Sequence, residues 1–389
     1  MRIAISGASG YIGQHLSSFL EGKGYDVIPL GRDLFKEDCF DELCRCVESC
    51  EVVINLAGAS INKRWTEAYK QELYDSRICV TRQLVHAINT RSVKLELFIS
   101  ASAVGYYPAF GEYDEYHDCR GMDFLARLCG AWEEEASACS SDVRLVITRF
   151  GVVLSEDGGA LKEMLRLQRF SRVSVVIGNG QQRFPWISLF DLCRSFGYII
   201  RNRQMRGVVN LVSPDLITQK QLAHTLARAD KIRRIIPLPE FFFRLKFGEG
   251  ASFVTKGQTV HPSKLQESGF TYIYPTIEKL MNITDHHTVP ELDVKRYMGR
   301  WYEIARYENH FERGMTDVTA TYTLLPDGKI RVENEGYKGG VHKKATGRAK
   351  QPDPKNNPGK LKVAFFLWFY ADYYILELDA DYQYAVIGS

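Results

Sequence analysis

The chain has 389 residues, 45% of them hydrophobic and 25% charged, with a formal net charge of +3. That length supports two or three domains with a sizeable core, and the balance excludes a disordered chain, a nucleic-acid partner and a polybasic membrane patch. No apolar run reaches the about 18 residues of a membrane-spanning helix, and Met1-Arg2 leads directly into a strand pattern, not a signal peptide.

The first strand pattern, Ile3-Ala4-Ile5, runs into Gly7-Ala8-Ser9-Gly10-Tyr11-Ile12-Gly13. A helix-period run follows at Leu16, Phe19 and Leu20, then a second strand at Val27-Ile28. A strand feeding a glycine turn and a helix start builds a pyrophosphate site. Glycines let backbone N–H groups approach the ligand, and the helix N-terminus favours its charge. Gly7, Ser9, Gly10, Tyr11, Ile12 and Gly13 are therefore the first cofactor-binding candidates. The second strand ends Pro29-Leu30-Gly31-Arg32, where a carboxylate would grip a ribose hydroxyl. Arginine pairs instead with a 2′-phosphate, so NADP(H) is expected; Asp33, next in line, keeps NAD as the lesser alternative.

Cys39, Cys44, Cys46 and Cys50 cluster, but no C-x-x-C pair or nearby histidine completes a metal site, and small residues on a helix account for them. All nine cysteines lie between Cys39 and Cys193, which suits a reducing cytoplasm better than a disulfide scaffold. Asn55-Leu56-Ala57-Gly58 closes a third strand with small residues that let backbone pass beside a cofactor, and Arg77 is a second candidate phosphate partner. Strand runs at 2–6, 26–30, 52–56, 95–100 and 144–149, separated by helix-length segments, predict an α/β fold with a Rossmann-type doubly wound parallel sheet. From 151 to 281 the pattern loosens into a small mixed α/β region expected to hold the substrate. There Arg183 and Trp186 lie beside Gly178-Asn179-Gly180 and suit an anionic or planar substrate; core packing is the alternative for Trp186, and helix capping for Asp191.

Residues 282–290 are polar and read as a linker, its His286-His287 pair included. The rhythm then changes to short runs at 301–306, 318–324, 330–337, 343–349, 360–365, 373–378 and 384–387, with turn signals such as Pro326-Asp327-Gly328 and Pro358-Gly359. This is an up-and-down all-β pattern over 291–389.

The glycine turn, Asn55–Gly58, Lys63-Arg64-Trp65, the run Ser100–Tyr107, Trp132-Glu133, Arg149–Leu154, Gly178–Gln181 and Gln258–Pro262 together resemble the atypical extended short-chain dehydrogenase/reductases of the epimerase family, over 1–281. The resemblance implies NADP(H), with contacts at Gly31, Arg32, Leu56, Ala57, Glu72, Arg77 and Val152. Such enzymes use a Ser/Thr with a Y-x-x-x-K pair, the tyrosine serving as acid/base. Ser102 stands where that hydroxyl belongs, but the helix reads Phe124-Leu125-Ala126-Arg127-Leu128-Cys129, so neither Phe124/Leu128 nor Leu125/Cys129 supplies the pair. Acid/base chemistry must come from elsewhere. Tyr106 and Tyr107, four and five residues past Ser102, are candidates, as is Asp114; we assign Tyr106 to that role beside Ser102, and Tyr107 with Arg183 and Trp186 to the substrate.

Gly299-Arg300-Trp301, Phe311-Glu312-Arg313-Gly314, Thr319–Tyr322 and Tyr382–Gly388 resemble the bacterial lipocalins. The resemblance implies an apolar ligand in a cup that Phe365, Phe366, Trp368 and Phe369 line or rim. Seven strand runs precede Ser389, which leaves a lipocalin-like barrel incomplete, through truncation or with a partner supplying the missing strand. The sequence thus predicts an NADP(H)-dependent oxidoreductase or epimerase-like enzyme for a small, apolar substrate, in the cytoplasm and fused to a lipocalin module. The alternatives are a non-catalytic NADP(H) sensor and an apolar-ligand carrier with a vestigial nucleotide domain.

Overall fold

The computed structural model of the protein describes residues 1–90, 95–281, 288–289, 291–306, 314–354, 358–365 and 370–388. The chain divides into two compact units, Met1–Ile283 and Thr284–Ser389. The first unit opens with β1 (Arg2–Ser6), α1 (Tyr11–Glu21), β2 (Asp26–Leu30), α2 (Phe40–Glu48), β3 (Val52–Asn55), α3 (Glu67–Thr90) and β4 (Leu97–Ala103). It continues through β5 (Glu112–Tyr113), α4 (Phe124–Ser137), β6 (Arg144–Phe150), β7 (Val152–Ser155), α5 (Gly159–Ser171), β8 (Val173–Ile177), β9 (Trp186–Ser188), α6 (Leu189–Arg201) and β10 (Gly207–Leu211). The remainder is α7 (Gln219–Ala229), β11 (Arg234–Leu238), α8 (Glu240–Phe247), α9 (Ser252–Thr255), β12 (Thr259–Val260), α10 (Ser263–Glu267) and α11 (Ile277–Leu280).

Six parallel strands form the main sheet in the order β10-β6-β4-β3-β1-β2. Its central strands are apolar almost throughout because helices cover both faces. Ile3, Ile5, Ile54 and Ile99 pack on one face with Leu16 and Leu20 of α1 and Phe196 of α6. Ala4, Val53 and Phe98 pack on the other with Leu43 of α2 and Leu84 and Ile88 of α3.

Two differences from the sequence reading matter for the site. Gly207–Leu211 returns to the main sheet as a sixth strand, paired with β6, although it lies in the stretch expected to be wholly substrate region. Strand β4 also extends to Ala103, held by its pairing with β6, so Ser102 lies inside the strand and not past its end. The remaining strands of this unit form three short parallel pairs, β7 with β9, β8 with β11 and β5 with β12. The Lys63-Arg64-Trp65 motif clasps this region onto the main fold. Arg64 donates to the Leu245 carbonyl at 3.0 Å, the Trp65 N–H donates to the Phe247 carbonyl at 3.1 Å, and a Cβ on Gly250 would meet the Trp65 ring at 2.9 Å.

The second unit holds α12 (Val294–Tyr297) and β13 (Gly299–Tyr302), β14 (Met315–Leu324), β15 (Ile330–Lys338), β16 (Val341–Lys350), β17 (Lys360–Ala364), β18 (Ala371–Leu378) and β19 (Ala385–Gly388). These strands pair antiparallel in sequence order, with β13 and β19 at the two edges. The interior gathers Tyr297, Tyr322, Val332, Leu361 and Ile375. The Trp301 indole donates to the Tyr297 carbonyl at 3.0 Å, and the hydroxyls of Tyr297 and Tyr322 both meet that of Tyr373, at 3.0 and 2.8 Å. Phe365 packs its ring against Gly347. His286, His287, Phe311, Glu312, Arg313, Phe366, Trp368 and Phe369 lie outside the described residues.

Candidate functional site

The glycine turn is forced by backbone-on-backbone packing. Gly7 has φ +73°, and a Cβ there would lie 2.8 Å from the Leu56 carbonyl; one on Gly13 would lie 2.2 Å from the Gly7 oxygen. The turn therefore sits directly on the exit of β3, with the Gly10 N–H donating to the Gly7 oxygen at 3.0 Å. A buried network fixes this junction from below. Ser6 donates to Asn55 Oδ1 at 2.6 Å, and Asn55 Nδ2 and Trp132 Nε1 both donate to Thr81 Oγ1, at 2.8 and 2.9 Å. Strands β1 and β3 are thereby tied to α3 and α4.

Above the carboxyl ends of these strands lies a cleft of about 570 Å³. Among the residues named from sequence, Gly7, Gly10, Tyr11, Ile12 and Gly13 line it, as do Leu56, Ala57, Gly58, Arg77 and Val152. Ser102, Tyr107 and Arg183 line it as well. Ser9, Gly31, Arg32, Glu72, Tyr106 and Trp186 are not on its wall. Ser9, Gly31 and Glu72 are exposed. Arg32 is also exposed just past β2, while Asp33 pairs with Lys36 at 2.5 Å, so Arg32 keeps no acidic partner among the described residues.

Arg77 is half-buried on the wall, donating to the Leu73 carbonyl at 3.1 Å and the Ala59 carbonyl at 2.9 Å, with its guanidinium 5.2 Å over the Trp132 ring. It has no acidic partner among the described residues, and burial lowers its proton affinity. A Cβ on Gly58 would touch the guanidinium at 2.9 Å, so the small residue is what admits it. Across the cleft stand Arg183, which donates to the Leu216 carbonyl at 3.0 Å, and Lys256, which sequence reasoning missed. Asp123 is the one acidic residue on the wall among the described residues, and its carboxylate caps α4 by accepting the Ala126 N–H at 2.9 Å.

Three side chains expected at the chemistry serve the fold instead. Trp186 is fully buried in the substrate-region core with Leu154, Leu161 and Ile217, so its indole is spent on packing. Tyr106 lays its ring 3.5 Å over the Arg149 guanidinium, and its hydroxyl donates to Asp118 at 3.2 Å. Asp114 lies off the wall. Against a burial that would raise its proton affinity, hydrogen bonds from the Tyr116 N–H, His117 and Ser263 hold the carboxyl low. Tyr107 does reach the wall, yet its hydroxyl is engaged by the Asp114 carbonyl at 2.9 Å and Asn210 Oδ1 at 3.1 Å.

Leu125 and Cys129, one turn apart on α4, face the cleft, and Leu125 lies so close to Gly105 that a Cβ there would meet it at 2.4 Å. Burial, and after it the Glu133 carboxylate, pushes the Cys129 thiol up to about 12, so it stays protonated. Below them is a buried ion pair that the sequence reading did not assign. Arg149 Nε and Nη2 donate to the two oxygens of Glu133 at 2.8 and 2.7 Å, and Ser102 Oγ donates to Glu133 Oε1 at 2.6 Å. Register places Ser102 opposite Arg149 on the paired strands β4 and β6. A charged residue inside the apolar run of β6 was the available signal.

Comparison with known proteins agrees with this geometry. Residues 3–211 match the NAD dependent epimerase/dehydratase family, 238–282 a domain of unknown function (DUF1731), and 292–389 a lipocalin-like domain. The chain is similar to the chloroplastic SDR39U1 homologue of Arabidopsis thaliana, an epimerase family protein, with 33% identity over 72% of this chain and 85% of that protein. It is similar to the epimerase family protein YfhF of Bacillus subtilis, with 34% identity over 74% of this chain and all of that one. The crystal structure of human SDR39U1 (isoform 2) with NADPH superposes with a TM-score of 0.67 and 32% identity, covering 73% of this chain and 98% of that one.

Proposed function

The chain belongs to the NAD dependent epimerase/dehydratase family, and from that premise we propose that residues 1–281 bind NADP(H) and carry out hydride transfer on a small substrate. The observation that carries the reading is the glycine turn packed on the β3 exit, facing an Arg77 guanidinium that has no acidic partner among the described residues. A half-buried cation beside close-approach glycines fits a phosphate-bearing ligand. In this reading Gly7, Ser9, Tyr11, Ile12 and Gly13 hold the pyrophosphate through backbone N–H groups, and Gly10, whose N–H closes the turn onto Gly7, lets the ligand approach. Arg32, free of Asp33, takes a 2′-phosphate. Gly31, Leu56, Ala57, Gly58, Glu72 and Val152 flank the nucleotide.

When bound, the nicotinamide supplies or accepts the hydride. The chain's own groups do the rest. Leu125, Leu128 and Phe150 keep water from the inner wall, Ser102 orients a substrate oxygen or nitrogen, and Arg183 with Lys256 attracts an anionic portion at the outer wall. The lipocalin-like domain at 292–389 takes an apolar ligand on the inner face of its sheet. Among the described residues no helix is long and apolar enough to cross a membrane. The distribution of the nine cysteines, all between Cys39 and Cys193, suits a reducing cytoplasm, where we place the protein.

Calorimetry on the full chain tests the premise: NADPH binds, and NADH binds more weakly. No heat with either dinucleotide overturns it. One observation favours a second reading. Leu125 and Cys129 occupy the face where an acid/base tyrosine and lysine would stand, which suits an NADP(H) sensor without turnover. Tight NADPH binding with neither oxidation of NADPH by carbonyl compounds nor reduction of NADP+ by alcohols and amines decides for the sensor.

A further inference from the structure

The chemistry available at Ser102 depends on where its single hydroxyl proton goes. Ser102 and Glu133 are only 2% and 8% exposed, and the proton is donated to Glu133 Oε1 at 2.6 Å. Glu133 cannot return that bond. Its Oε1 also accepts Arg149 Nε and its Oε2 accepts Arg149 Nη2, and a carboxylate held in such a fork has only lone pairs to offer. Nor can Arg149 swing away, because Tyr106 covers one face of its guanidinium at 3.5 Å and the Tyr107 ring lies 4.7 Å from it. Cys129 lies beside the hydroxyl, and its protonated sulfur, a weak acceptor, does not draw the serine proton away from a carboxylate. Ser102 lines the cleft, and with its one proton spent inward its oxygen has only a lone pair left to offer there.

We propose that Glu133 and Arg149 are positioning residues that fix Ser102 as a hydrogen-bond acceptor toward the cleft, so that the ligand group seated on it is a donor, a hydroxyl or an N–H. This rests on the reading of the cleft as a dinucleotide and substrate site, and it names the substrate class: an alcohol, amine or amide on an apolar body. The body follows from the walls around Ser102, where Leu125, Leu128 and Phe150 offer no polar side-chain atom. A carbonyl oxygen in the same place meets the serine lone pair with its own, and the site rejects it.

The test uses the full chain loaded with 1,4,5,6-tetrahydro-NADP, which cannot transfer hydride, titrated with the matched probes 1-phenylethanol and acetophenone. The alcohol binds about tenfold or more tighter than the ketone. In the double variant Glu133→Leu/Arg149→Met the serine loses its inward carboxylate and turns its proton toward the cleft, so the preference collapses or reverses. Loss of packing alone would weaken both probes together. Ser102→Ala keeps the Glu133–Arg149 pair and erases the preference, which decides the matter should the double variant fail to fold. A ketone that binds as tightly as the alcohol, or an alcohol that does not bind, overturns the inference while the analogue itself still binds. So does a folded Glu133→Leu/Arg149→Met variant that keeps the alcohol preference. An analogue that does not bind removes the proposed function, and this inference with it.

Discussion

Gly13→Ala tests the packing of the dinucleotide turn at its tightest point. The added Cβ would lie 2.2 Å from the Gly7 oxygen, 2.7 Å from Ala8 Cα and 2.9 Å from the Ala8 carbonyl carbon. An ordinary contact begins at 3.4 Å, so the helix start must lift off the turn by about 1.2 Å. All three atoms are backbone, and no side chain can rotate to make room. Overpacking of this kind costs about 1–3 kcal/mol of stability. Binding suffers separately, because the N–H groups proposed to meet the pyrophosphate belong to the displaced segment. Each charge-assisted bond lost is about 1.5–3 kcal/mol, which is roughly tenfold to 150-fold in Kd for NADPH. Urea denaturation and calorimetry read the two effects on one preparation. Gly22→Ala is the control. Its backbone is right-handed helical and its nearest neighbour, the Ser18 oxygen, is 3.3 Å away, so stability should stay within about 0.5 kcal/mol. A Gly13→Ala protein with wild-type NADPH affinity would refute the reasoning.

Arg32→Asp should weaken NADPH by about 2 kcal/mol, roughly 30-fold, and leave NADH almost unchanged in the same titration; equal weakening of both removes the 2′-phosphate role. Arg149→Met strands a buried carboxylate and should cost about 3–5 kcal/mol in urea denaturation, most of it recovered in the double variant with Glu133→Leu. In alkali the buried thiols act together. Burial raises Cys129 and Cys193 from 9.0 to about 12, so the folded protein keeps protons that the unfolded chain sheds. Their contribution is therefore whole below pH 9 and is lost as the pH climbs toward 12, which a falling urea midpoint between pH 8 and 10.5 would report. At pH 8 the exposed Cys79 and Cys119 should alkylate far faster than these two. In the second unit, Tyr373→Phe leaves the Tyr297 and Tyr322 hydroxyls without their shared partner and should cost about 2 kcal/mol, seen as a lower denaturation midpoint.

The parts of the fold that the sequence announced are those whose signals are local. Arg2–Ser6 and Val52–Asn55 are short apolar runs followed by small residues, and a buried parallel strand needs little else. The second unit was legible for the complementary reason, since alternating patterns separated by Pro-Asp-Gly and Pro-Gly turns specify a meander from neighbour to neighbour. Gly207–Leu211 was missed because nothing within those five residues names β6 as their partner. That pairing is a property of the whole sheet. The same long-range pairing carried β4 on to Ala103 and drew Ser102 into the strand.

The site divides in the same way. Gly7, Gly13, Arg77 and Arg183 were legible as residues of the cleft wall because a glycine at a strand exit or a cation near one has few other uses. Tyr106 and Trp186 were misplaced because an aromatic side chain beside a loop serves packing as readily as chemistry, and only burial separates the two. Helix α4 shows most clearly where the sequence stops. Leu125 and Cys129 already say that a tyrosine and a lysine are missing, but one further turn along the same face stands Glu133, which in isolation is an ordinary helix carboxylate. Its meaning comes from a strand sixteen residues later, where Arg149 faces Ser102 in register and claims both carboxylate oxygens. Once that pair exists, the serine proton has an inward partner that the cleft cannot match, because a charge-assisted bond in a dry interior outcompetes a neutral one at a wetted wall. The absence of a tyrosine–lysine pair and the proposed acceptor role of Ser102 thus fit one arrangement, in which the ionic partner of the serine lies in the core and not in the cleft.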